Sequence, residues 1–385
     1  MAPILEVADL KKRAKWRVPK MFFDYADSGS WTESTYRANE SDYHEITLRQ
    51  RVAVDMTNRS LSTTMIGQDV SMPLALAPVG FCGMQWADGE ILAAQAAEEI
   101  GVPFTLSTMS ICSIEDVAEN TTKPFWFQLY VMRDKEFVGN LIDRAKAAGC
   151  SALVVTLDLQ ILGQRHKDLR NGLSAPPKFT PKHLWQIGTC PSWCMAMAQT
   201  RRRTFRNIVG HAKGVSNLSS LTAWTAEQFD PTLSWNDIAW IKERWGGPVI
   251  LKGILDPQDA KKALDSGADA IIVSNHGGRQ LDGAPSSIRA LPAIVDAVGD
   301  KMEVHVDGGI RSGQDILKAL CLGAKSTFVG RPYLYGLGAQ GKAGVARMFE
   351  ILRTELDTTM ALCGERKVTD LSRANLFSAF GERLN

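Results

Sequence analysis

The sequence predicts an α/β protein built as a (β/α)8 TIM barrel, and three observations carry the prediction. Short apolar strands follow directly after glycines that can end a helix, at Gly101, Gly149, Gly267 and Gly323. Glycine tolerates the left-handed backbone that commonly ends helices, and continuous apolar runs suit strands buried on both faces. Eight such strands can be counted, and eight βα units close a barrel. An open, doubly wound sheet is the alternative.

Helix start signals lie between the predicted strands. Ser234 stands three residues before Asp237, and Ser312 stands three before Asp315, as in a capping box. The predicted strands are MPLALAP (72–78), PFTLST (103–108), FWFQLY (125–130), ALVVTLD (152–158), VILKG (249–253), AIIVSNH (270–276), EVHVDGG (303–309) and STFVGR (326–331).

Two regions fall outside this repeat, although we expect residues 1–385 to form a single domain, since such barrels hold 250 residues or more as one unit. Residues 1–71 are expected to form helices and a small hairpin across one end of the barrel, which spans residues 72–385. Residues 159–233, after the fourth strand, form a connection far longer than an ordinary βα loop. Connections of that length are often functional.

Positive charge is concentrated in this long connection. Residues 169–225 contain no Asp or Glu and eight Lys or Arg, although the whole chain carries a net charge of only +2. Basic and large apolar residues together suit an anionic membrane surface; a solvated loop or an oligomer contact is the alternative. The residues concerned are Arg170, Lys178, Lys182, Arg201, Arg202, Arg203, Arg206 and Lys213, with Trp185, Trp193, Met195, Met197 and Phe205.

Several classes of protein are disfavoured. No apolar run approaches the roughly 20 residues of a membrane span, and we expect no signal peptide. The seven cysteines are odd in number and scattered, which indicates reduced thiols. Only Cys190 and Cys194 are close together, and because no second pair of cysteines stands at ligand spacing we expect no metal site. We also expect no nucleic-acid partner.

Polar side chains cluster at the C-terminal ends of the predicted strands, where chemistry collects in this fold. A single polar residue there could simply close a strand, but so many together predict an active site. These residues are Ser107, Thr108, Gln128, Tyr130, Thr156, Asp158, Lys252, Ser274, Asn275, His276, Asp307 and Arg331.

The last two units are predicted to hold a phosphate. The segment DGGIRSG (307–313) joins a strand to a helix, and its glycines let backbone N–H groups approach an anion at the positive end of the helix dipole. Arg311 adds charge, and Gly330 and Arg331 converge on the same place. This pattern predicts a phosphorylated cofactor or substrate without naming it.

The segment SNHGGRQLDG (274–283) places a base and a carboxylate anchor at the barrel mouth. Histidine is the natural base near neutral pH, which favours His276, and the guanidinium of Arg279 can bind a carboxylate through two hydrogen bonds. Asp158 could pair with the imidazole and stabilise its cationic form. The remaining histidines are predicted to be structural or exposed: His44, His166, His183, His211 and His305.

Over nearly the whole chain the sequence resembles the FMN-dependent L-2-hydroxy acid dehydrogenase and oxidase family, and within it most nearly the bacterial respiratory L-lactate dehydrogenases. SNHGGRQLDG matches the family's signature. The supporting motifs are APVG (77–80), FTLST (104–108), WFQLY (126–130), GQRHKD (163–168), LKGI (251–254) and DGGIRSG (307–313).

The resemblance implies FMN as cofactor and a role for each matching residue. His276 would be the base and Asp158 its partner, and Lys252 would lie near the flavin N1 and C2 oxygen, where positive charge stabilises the anionic reduced ring. Substrate would be held by Arg165 and Arg279 at its carboxylate and would face Tyr25 and Tyr130. The remaining cofactor contacts would be Pro78, Val79, Gly80, Ser107, Gln128, Thr156 and Ser274, with Asp307, Gly308, Gly309, Arg311, Gly330 and Arg331 towards the ribityl phosphate.

The implied reaction is oxidation of an L-2-hydroxy acid, with L-lactate to pyruvate favoured and a respiratory quinone or cytochrome as acceptor. The alternatives are an oxidase or monooxygenase that uses O2, a mandelate-type dehydrogenase, a flavin-free phosphate-binding barrel isomerase or synthase, and a non-catalytic membrane-docking scaffold. Gly80 is more typical of the dehydrogenases than of the oxidases, and Met109 stands where glycolate oxidase has tryptophan. We expect a homotetramer on the cytoplasmic side, peripheral on the inner membrane through residues 169–225.

Overall fold

The computed structural model describes residues 3–173, 180–212, 214–215 and 228–383, and its centre is a ring of eight parallel strands. Each strand pairs with its neighbours in chain order, and the ring closes through one parallel bridge between Leu76 and Phe104. The predicted (β/α)8 barrel is confirmed. Its strands are Leu74–Leu76, Thr105–Ser107, Trp126–Tyr130, Ala152–Thr156, Val249–Ile254, Ala270–Val273, Glu303–Asp307 and Ser326–Val329.

Helices surround this ring and begin and end largely where the sequence signals predict. Gly101, Gly149, Gly267 and Gly323 all have positive φ, between 73° and 101°, as helix-ending glycines do. The helices of the barrel region are Cys82–Gln85, Gly89–Ile100, Ile114–Ala118, Lys135–Ala147, Asn236–Trp245, Pro257–Asp265, Ser287–Val298, Gly313–Cys321, Arg331–Gln340 and Lys342–Leu362.

The two predicted capping boxes have different outcomes. Ser312 accepts a hydrogen bond from the backbone N–H of Asp315 and forms the complete box. At the other position the helix begins at Asn236 and Trp235 is the residue that precedes it. Ser234 therefore does not cap this helix; its backbone N–H instead donates to the Asp237 carboxylate at 2.8 Å.

The barrel interior is apolar at one end, and an N-terminal hairpin covers that end. The strands Thr63–Met65 and Gln68–Val70 form this hairpin. Met65 and Val70 pack against Trp126 and Phe328 inside the barrel, and the backbone N–H of Ile66 donates to Glu303 at 2.9 Å. Because this end is closed by packing, the opening of the barrel lies at the C-terminal ends of the strands.

The other expected N-terminal elements are also present. The helices Val7–Arg17, Lys20–Ala26 and Ser34–Ser41 precede the barrel, and the short strand Ile46–Leu48 pairs with Leu376–Ala379 near the C-terminus, which in turn pairs with Glu382–Arg383. Two of these helices, Lys20–Ala26 and Ser34–Ser41, lie at the barrel mouth, where the C-terminal ends of the strands meet.

The long connection contains the helices His166–Arg170, Pro181–Gly188 and Pro191–Gln199. Lys178, Lys213 and the side chain of Lys182 lie outside the described residues. Within the described ranges, no helix is both long enough and apolar enough to cross a membrane.

The large apolar residues of this connection do not form one exposed surface, which corrects part of the prediction. Trp185 and Met195 are 76% and 64% exposed. Met197 and Phe205 are buried, and Trp193 stacks on Phe22 at 5.4 Å while donating its indole N–H to a backbone carbonyl. The inward residues pack because the barrel offers them an apolar surface beside the connection.

Part of the predicted positive surface is also neutralised. Arg202 and Arg206 both pair with the buried carboxylate of Asp116, at 2.9 and 2.7 Å, and Arg202 also contacts Asp88 at 3.2 Å. These two guanidinium groups therefore anchor the connection to the barrel and leave fewer charges for an external surface.

Candidate active site

A cavity of about 690 Å³ opens at the C-terminal ends of the barrel strands. Its walls come from the strand ends, the helix Lys20–Ala26 and the long connection. The predicted site residues that line it are Tyr25, Pro78, Val79, Gly80, Tyr130, Thr156, Arg165, Lys252, His276, Arg279, Asp307, Gly308, Gly309, Arg311, Gly330 and Arg331.

Four predicted residues stand behind this wall. Asp158 and Ser274 bond to the lining residues His276 and Lys252. The Ser107 hydroxyl donates to Gln128 Oε1 at 3.0 Å. The structure thus brings all of the predicted residues to one end of the barrel, in two layers.

His276 lies in the turn after the sixth strand, in an unusual backbone conformation. Its φ is 58°, in the left-handed region, where a residue with a side chain carries strain of about 1–3 kcal/mol. Asn275 holds the turn, because its Oδ1 accepts from the backbone N–H of Gly278 at 3.0 Å. Asn275 also exchanges two amide hydrogen bonds, of 2.8 and 2.7 Å, with Asn39 of the N-terminal segment.

The His276 imidazole is set to accept a proton. Its Nδ1 lies 2.9 Å from Asp158 Oδ1, and because a carboxylate only accepts hydrogen bonds, Nδ1 carries the hydrogen and Nε2 keeps its lone pair. Burial lowers the pKa of His276 below its ordinary value; Asp158 opposes this shift, and Lys252 and Arg165 add to it. The imidazole is therefore neutral at pH 7.

The Asp158 carboxylate is ionised in this environment. Burial raises its pKa, but His276 and Lys252 outweigh burial and leave the pKa below the ordinary value. Gly253 makes room for this carboxylate: it interrupts the strand register, has a φ of 104°, and a Cβ there would lie 2.7 Å from the Asp158 Cβ.

A charged lysine lies beside this pair. Lys252 Nζ donates to Ser274 Oγ at 2.7 Å and contacts Asp307 Oδ2 at 2.9 Å. Burial lowers the pKa of Lys252, but Asp307 and Asp158 outweigh it, so the pKa lies above its ordinary value. Nearby, Gln128 Nε2 and Asp307 Oδ1 are buried without a hydrogen-bond partner in the described structure. Such polar atoms call for a polar ligand.

Two arginines face the cavity from different segments. Arg279 Nη1 donates to the carbonyl oxygen of Tyr25 at 2.5 Å and to the Ser28 hydroxyl at 3.0 Å, and the guanidinium lies 4.6 Å from the centre of the Tyr25 ring. Arg165 contacts Gln280 Oε1 at 3.4 Å. Burial, together with Arg279, lowers the pKa of Arg165 to about 10, so it remains charged at neutral pH.

The predicted phosphate end contains the expected glycines but fewer free helix donors than predicted. Gly309 has a φ of 83°, and a Cβ there would lie 1.7 Å from the Asn39 carbonyl oxygen, so only glycine fits. The backbone N–H groups of Arg311 and Ser312 both donate to Asp315, and that of Gly313 donates to Glu355. The capping carboxylates consume these donors, which leaves the glycine turn before the helix to approach an anion.

The two arginines at this end are held by protein partners. Arg311 Nη2 contacts Glu40 at 2.6 Å. Arg331 donates to the carbonyl oxygens of Ala26, Ser28 and Gly277 at 2.8–2.9 Å. These contacts fix the position of both positive charges against the cavity wall.

Sequence reasoning missed three residues of the site. Asn39 holds the His276 turn, and Asp168 lies on the cavity wall next to Arg279. Asp282 accepts hydrogen bonds from the Thr32 and Thr35 backbone N–H groups, at 2.9 and 3.0 Å, and so ties the segment after the sixth strand to the N-terminal segment. Asp168 and Asp282 stand within motifs already singled out, but no local pattern identifies partners more than 100 residues away.

Comparisons with known proteins agree with this architecture. The sequence pattern of the FMN-dependent dehydrogenase family matches residues 14–378. A solved structure of the monotopic membrane protein (S)-mandelate dehydrogenase is 34% identical, covers 97% of this chain and 99% of its own, and superposes with a TM-score of 0.93.

Two further solved structures are similar. A soluble mutant of the membrane-associated (S)-mandelate dehydrogenase from Pseudomonas putida is 34% identical, with 97% and 99% coverage and a TM-score of 0.82. A mandelate oxidase with (S)-2-phenylpropionate is 35% identical, with 97% and 98% coverage and a TM-score of 0.81.

Proposed function

The chain belongs to the FMN-dependent dehydrogenase family and takes FMN as its cofactor; from that premise we propose that it oxidises an L-2-hydroxy acid to the corresponding 2-oxo acid. The observation that carries the proposal is the contact of 2.9 Å between His276 Nδ1 and Asp158, which leaves Nε2 to take a proton, in the same cavity as Arg165 and Arg279. A base opposite a carboxylate anchor is what removal of a proton from a hydroxy acid requires.

The residues of the cavity fit FMN. Gln128 Nε2 and Asp307 Oδ1, which have no partner among the described residues, suit the polar edge of the flavin ring together with the charged Lys252. Residues 78–80, Ser107, Thr156 and Ser274 would complete that part of the site. Gly308, Gly309 and Gly330, with Arg311 and Arg331, would hold the phosphate. When bound, FMN supplies the acceptor for two electrons.

The protein's own residues would bind and deprotonate the acid. Arg165 and Arg279 would hold the carboxylate, and the Nε2 atom of His276 would take the proton while Asp158 stabilises the resulting cation. Burial raises the pKa of Tyr130, so this phenol keeps its hydrogen and can donate to the substrate. Tyr25, stacked under Arg279, would face the same molecule.

We favour a substrate with a large apolar side chain, of mandelate type. The cavity lining includes Phe81, Met109, Leu162, Phe205 and Phe229, which would surround an aromatic ring better than a methyl group. Two of the solved structures that are similar to this chain are a mandelate dehydrogenase and a mandelate oxidase. L-Lactate, which the sequence resemblance favoured, is the second candidate.

The electron acceptor and the location are proposed together. The long connection exposes Leu184, Trp185 and Met195, apolar groups suited to a membrane interface, and a similar solved protein is monotopic. We infer peripheral attachment to the cytoplasmic side of a membrane and a membrane quinone as acceptor, with a cytochrome or O2 as the alternatives. The homotetramer stays a prediction.

Anaerobic titration of the purified yellow holoenzyme tests this proposal. We expect L-mandelate to bleach the visible flavin band faster than L-lactate or glycolate, and the D-enantiomers to be inactive. A faster response to L-lactate would favour the second candidate, and a colourless protein or an unreduced flavin would contradict the proposed function. Reoxidation by a soluble quinone compared with O2 then identifies the acceptor.

A further inference from the structure

Asp168 is a buried carboxylate on the cavity wall that the proposed chemistry does not use. It lies in the helix His166–Arg170, is 8% exposed and lines the same cavity as His276. Its Oδ2 lies 3.6 Å from Arg279 Nη2, and its Oδ1 has no hydrogen-bond partner within the described structure. A charged group buried this deeply usually has better partners.

Arg279 does not need Asp168 to stay in place. Its Nη1 is fixed by the carbonyl oxygen of Tyr25 and by Ser28, and its plane stacks on the Tyr25 ring. Its Nη2 is buried and makes no hydrogen bond among the described residues. The Nη1 end of the guanidinium is therefore held by the protein, and the Nη2 end has no hydrogen-bond acceptor among the described residues.

The contact between Asp168 and Arg279 is an ion pair without a hydrogen bond. A charged N–H···O bond is about 2.7–2.9 Å long, whereas this N···O separation is 3.6 Å. Within the described ranges, Asp168 is the carboxylate that lies within 4 Å of Arg279, and none lies that close to Arg165. A carboxylate from solution could make the shorter bond to Nη2 that Asp168 does not make.

We propose that Asp168 is a displaceable counterion that neutralises Arg279 in the empty site and sets the affinity of the site for the substrate carboxylate. The proposal rests on the proposed function, because it assigns Arg279 to that carboxylate. Asp168 is thus a positioning and specificity-determining residue: it favours acids that bind Arg279 strongly enough to compete, and it weakens the binding of other small anions.

The surroundings of Asp168 couple this competition to pH. The charged groups that face it are Arg279, Arg165, Lys167 and Asp24, and burial with Asp24 raises its pKa against the opposing effect of the three cations. A second anion on Arg279 would raise the pKa further, so binding should be accompanied by proton uptake. Since ionised Asp168 competes and protonated Asp168 does not, anion affinity should fall as pH rises.

Binding of oxalate to the oxidised holoenzyme tests the proposal independently of the substrate's side chain. The dissociation constant is read from the shift of the flavin spectrum in the wild type and in Asp168→Asn at pH 8 and pH 5.5. We expect the variant to bind oxalate roughly fivefold or more tightly at pH 8, since an opposite charge at this distance competes strongly. The difference should be smaller at the lower pH, because the raised pKa of Asp168 favours its neutral form as pH falls.

Two controls isolate the charge on Asp168. Asp24→Asn removes a neighbouring carboxylate that contacts Lys20 and Asn171 but not Arg279, and we expect less than a roughly twofold change. Oxamide, the neutral counterpart of oxalate, should bind wild type and Asp168→Asn equally.

Equal or weaker oxalate binding by Asp168→Asn would overturn the proposal, because a merely structural role predicts that outcome. Asp168→Ser is a second neutral variant for the case in which Asn fails to retain FMN. If both lose FMN, the pH dependence is measured in His276→Ala, which removes the other proton acceptor in the cavity: oxalate affinity that stays constant with pH would overturn the proposal, and affinity that falls as pH rises would support it. Failure of the proposed function has a different signature: oxalate binds as expected, but no 2-hydroxy acid reduces the flavin.

Discussion

The barrel mouth and the long connection use similar side chains in different ways. At the mouth, polar residues from distant segments meet in pairs, such as His276 with Asp158 and Asn275 with Asn39. In the connection, two tryptophans eight positions apart separate: Trp193 packs inward and Trp185 is exposed. The difference shows that the closed barrel fixes where the ends of its strands place their side chains, whereas the composition of the long connection does not tell which residues of its short helices pack inward.

The largest effect at the mouth is expected from His276→Ala. Loss of the base should reduce the rate of flavin reduction about 10³-fold or more, within the range for general acid–base catalysis, while FMN stays bound. Stopped-flow reduction under anaerobic conditions measures the rate. The exposed His44 gives a matched control, and His44→Ala should reduce flavin at the wild-type rate. Near-normal reduction by His276→Ala would disprove its assignment as base.

Asp158→Asn should have the next largest effect. Without the carboxylate, the cation that forms when His276 takes a proton is no longer stabilised, so kcat/KM should fall roughly 10²-fold or more. The wild-type kcat/KM should fall as pH drops through the pKa of His276, which burial lowers. Without the carboxylate that raises this pKa, the acid limb should move to lower pH. An unmoved limb would show that Asp158 does not act through His276.

Asp282→Ala tests whether the N-terminal segment holds the mouth together. The carboxylate receives hydrogen bonds from Thr32, Ser34 and Thr35, and partial exposure reduces their contribution. We expect a loss of about 2–3 kcal/mol in stability, together with weaker FMN retention. Thermal unfolding with and without added FMN measures both. The exposed Asp300 provides the control, since Asp300→Ala should leave Tm unchanged.

The smallest effects are expected from substituting the two tryptophans of the long connection, Trp193 and Trp185. Trp193→Ala should lower stability by about 2 kcal/mol, because it removes a stacked ring and an indole hydrogen bond. Trp185→Ala should change stability by less than about 0.5 kcal/mol and should instead weaken sedimentation with vesicles of phosphatidylcholine and phosphatidylserine. Equal vesicle binding by Trp185→Ala and wild type would remove the support for membrane attachment through this surface.

The prediction from sequence was most complete where local patterns have one structural solution. All eight strands and the four helix-ending glycines were identified, because apolar runs and positive φ leave few alternatives. The residues at the strand ends could also be located from the sequence, because the C-terminal ends of parallel strands all lie at the same end of the barrel. The prediction was weaker at the phosphate end, where Asp315 and Glu355 accept hydrogen bonds from backbone N–H groups that the glycine pattern predicts to be available to an anion.

By itself, then, the sequence determined the barrel and the identity of the residues at its mouth, through periodicity, glycine positions and a family signature. Only the tertiary structure decided that Asn39 supports the His276 turn, that Asp282 ties the segment after the sixth strand to the N-terminal segment, and that Asp168 lies beside Arg279. Each of these contacts joins segments more than 100 residues apart. Local propensity encodes the direction of a side chain within its own element, and its partner is set only when the closed barrel brings the segments together.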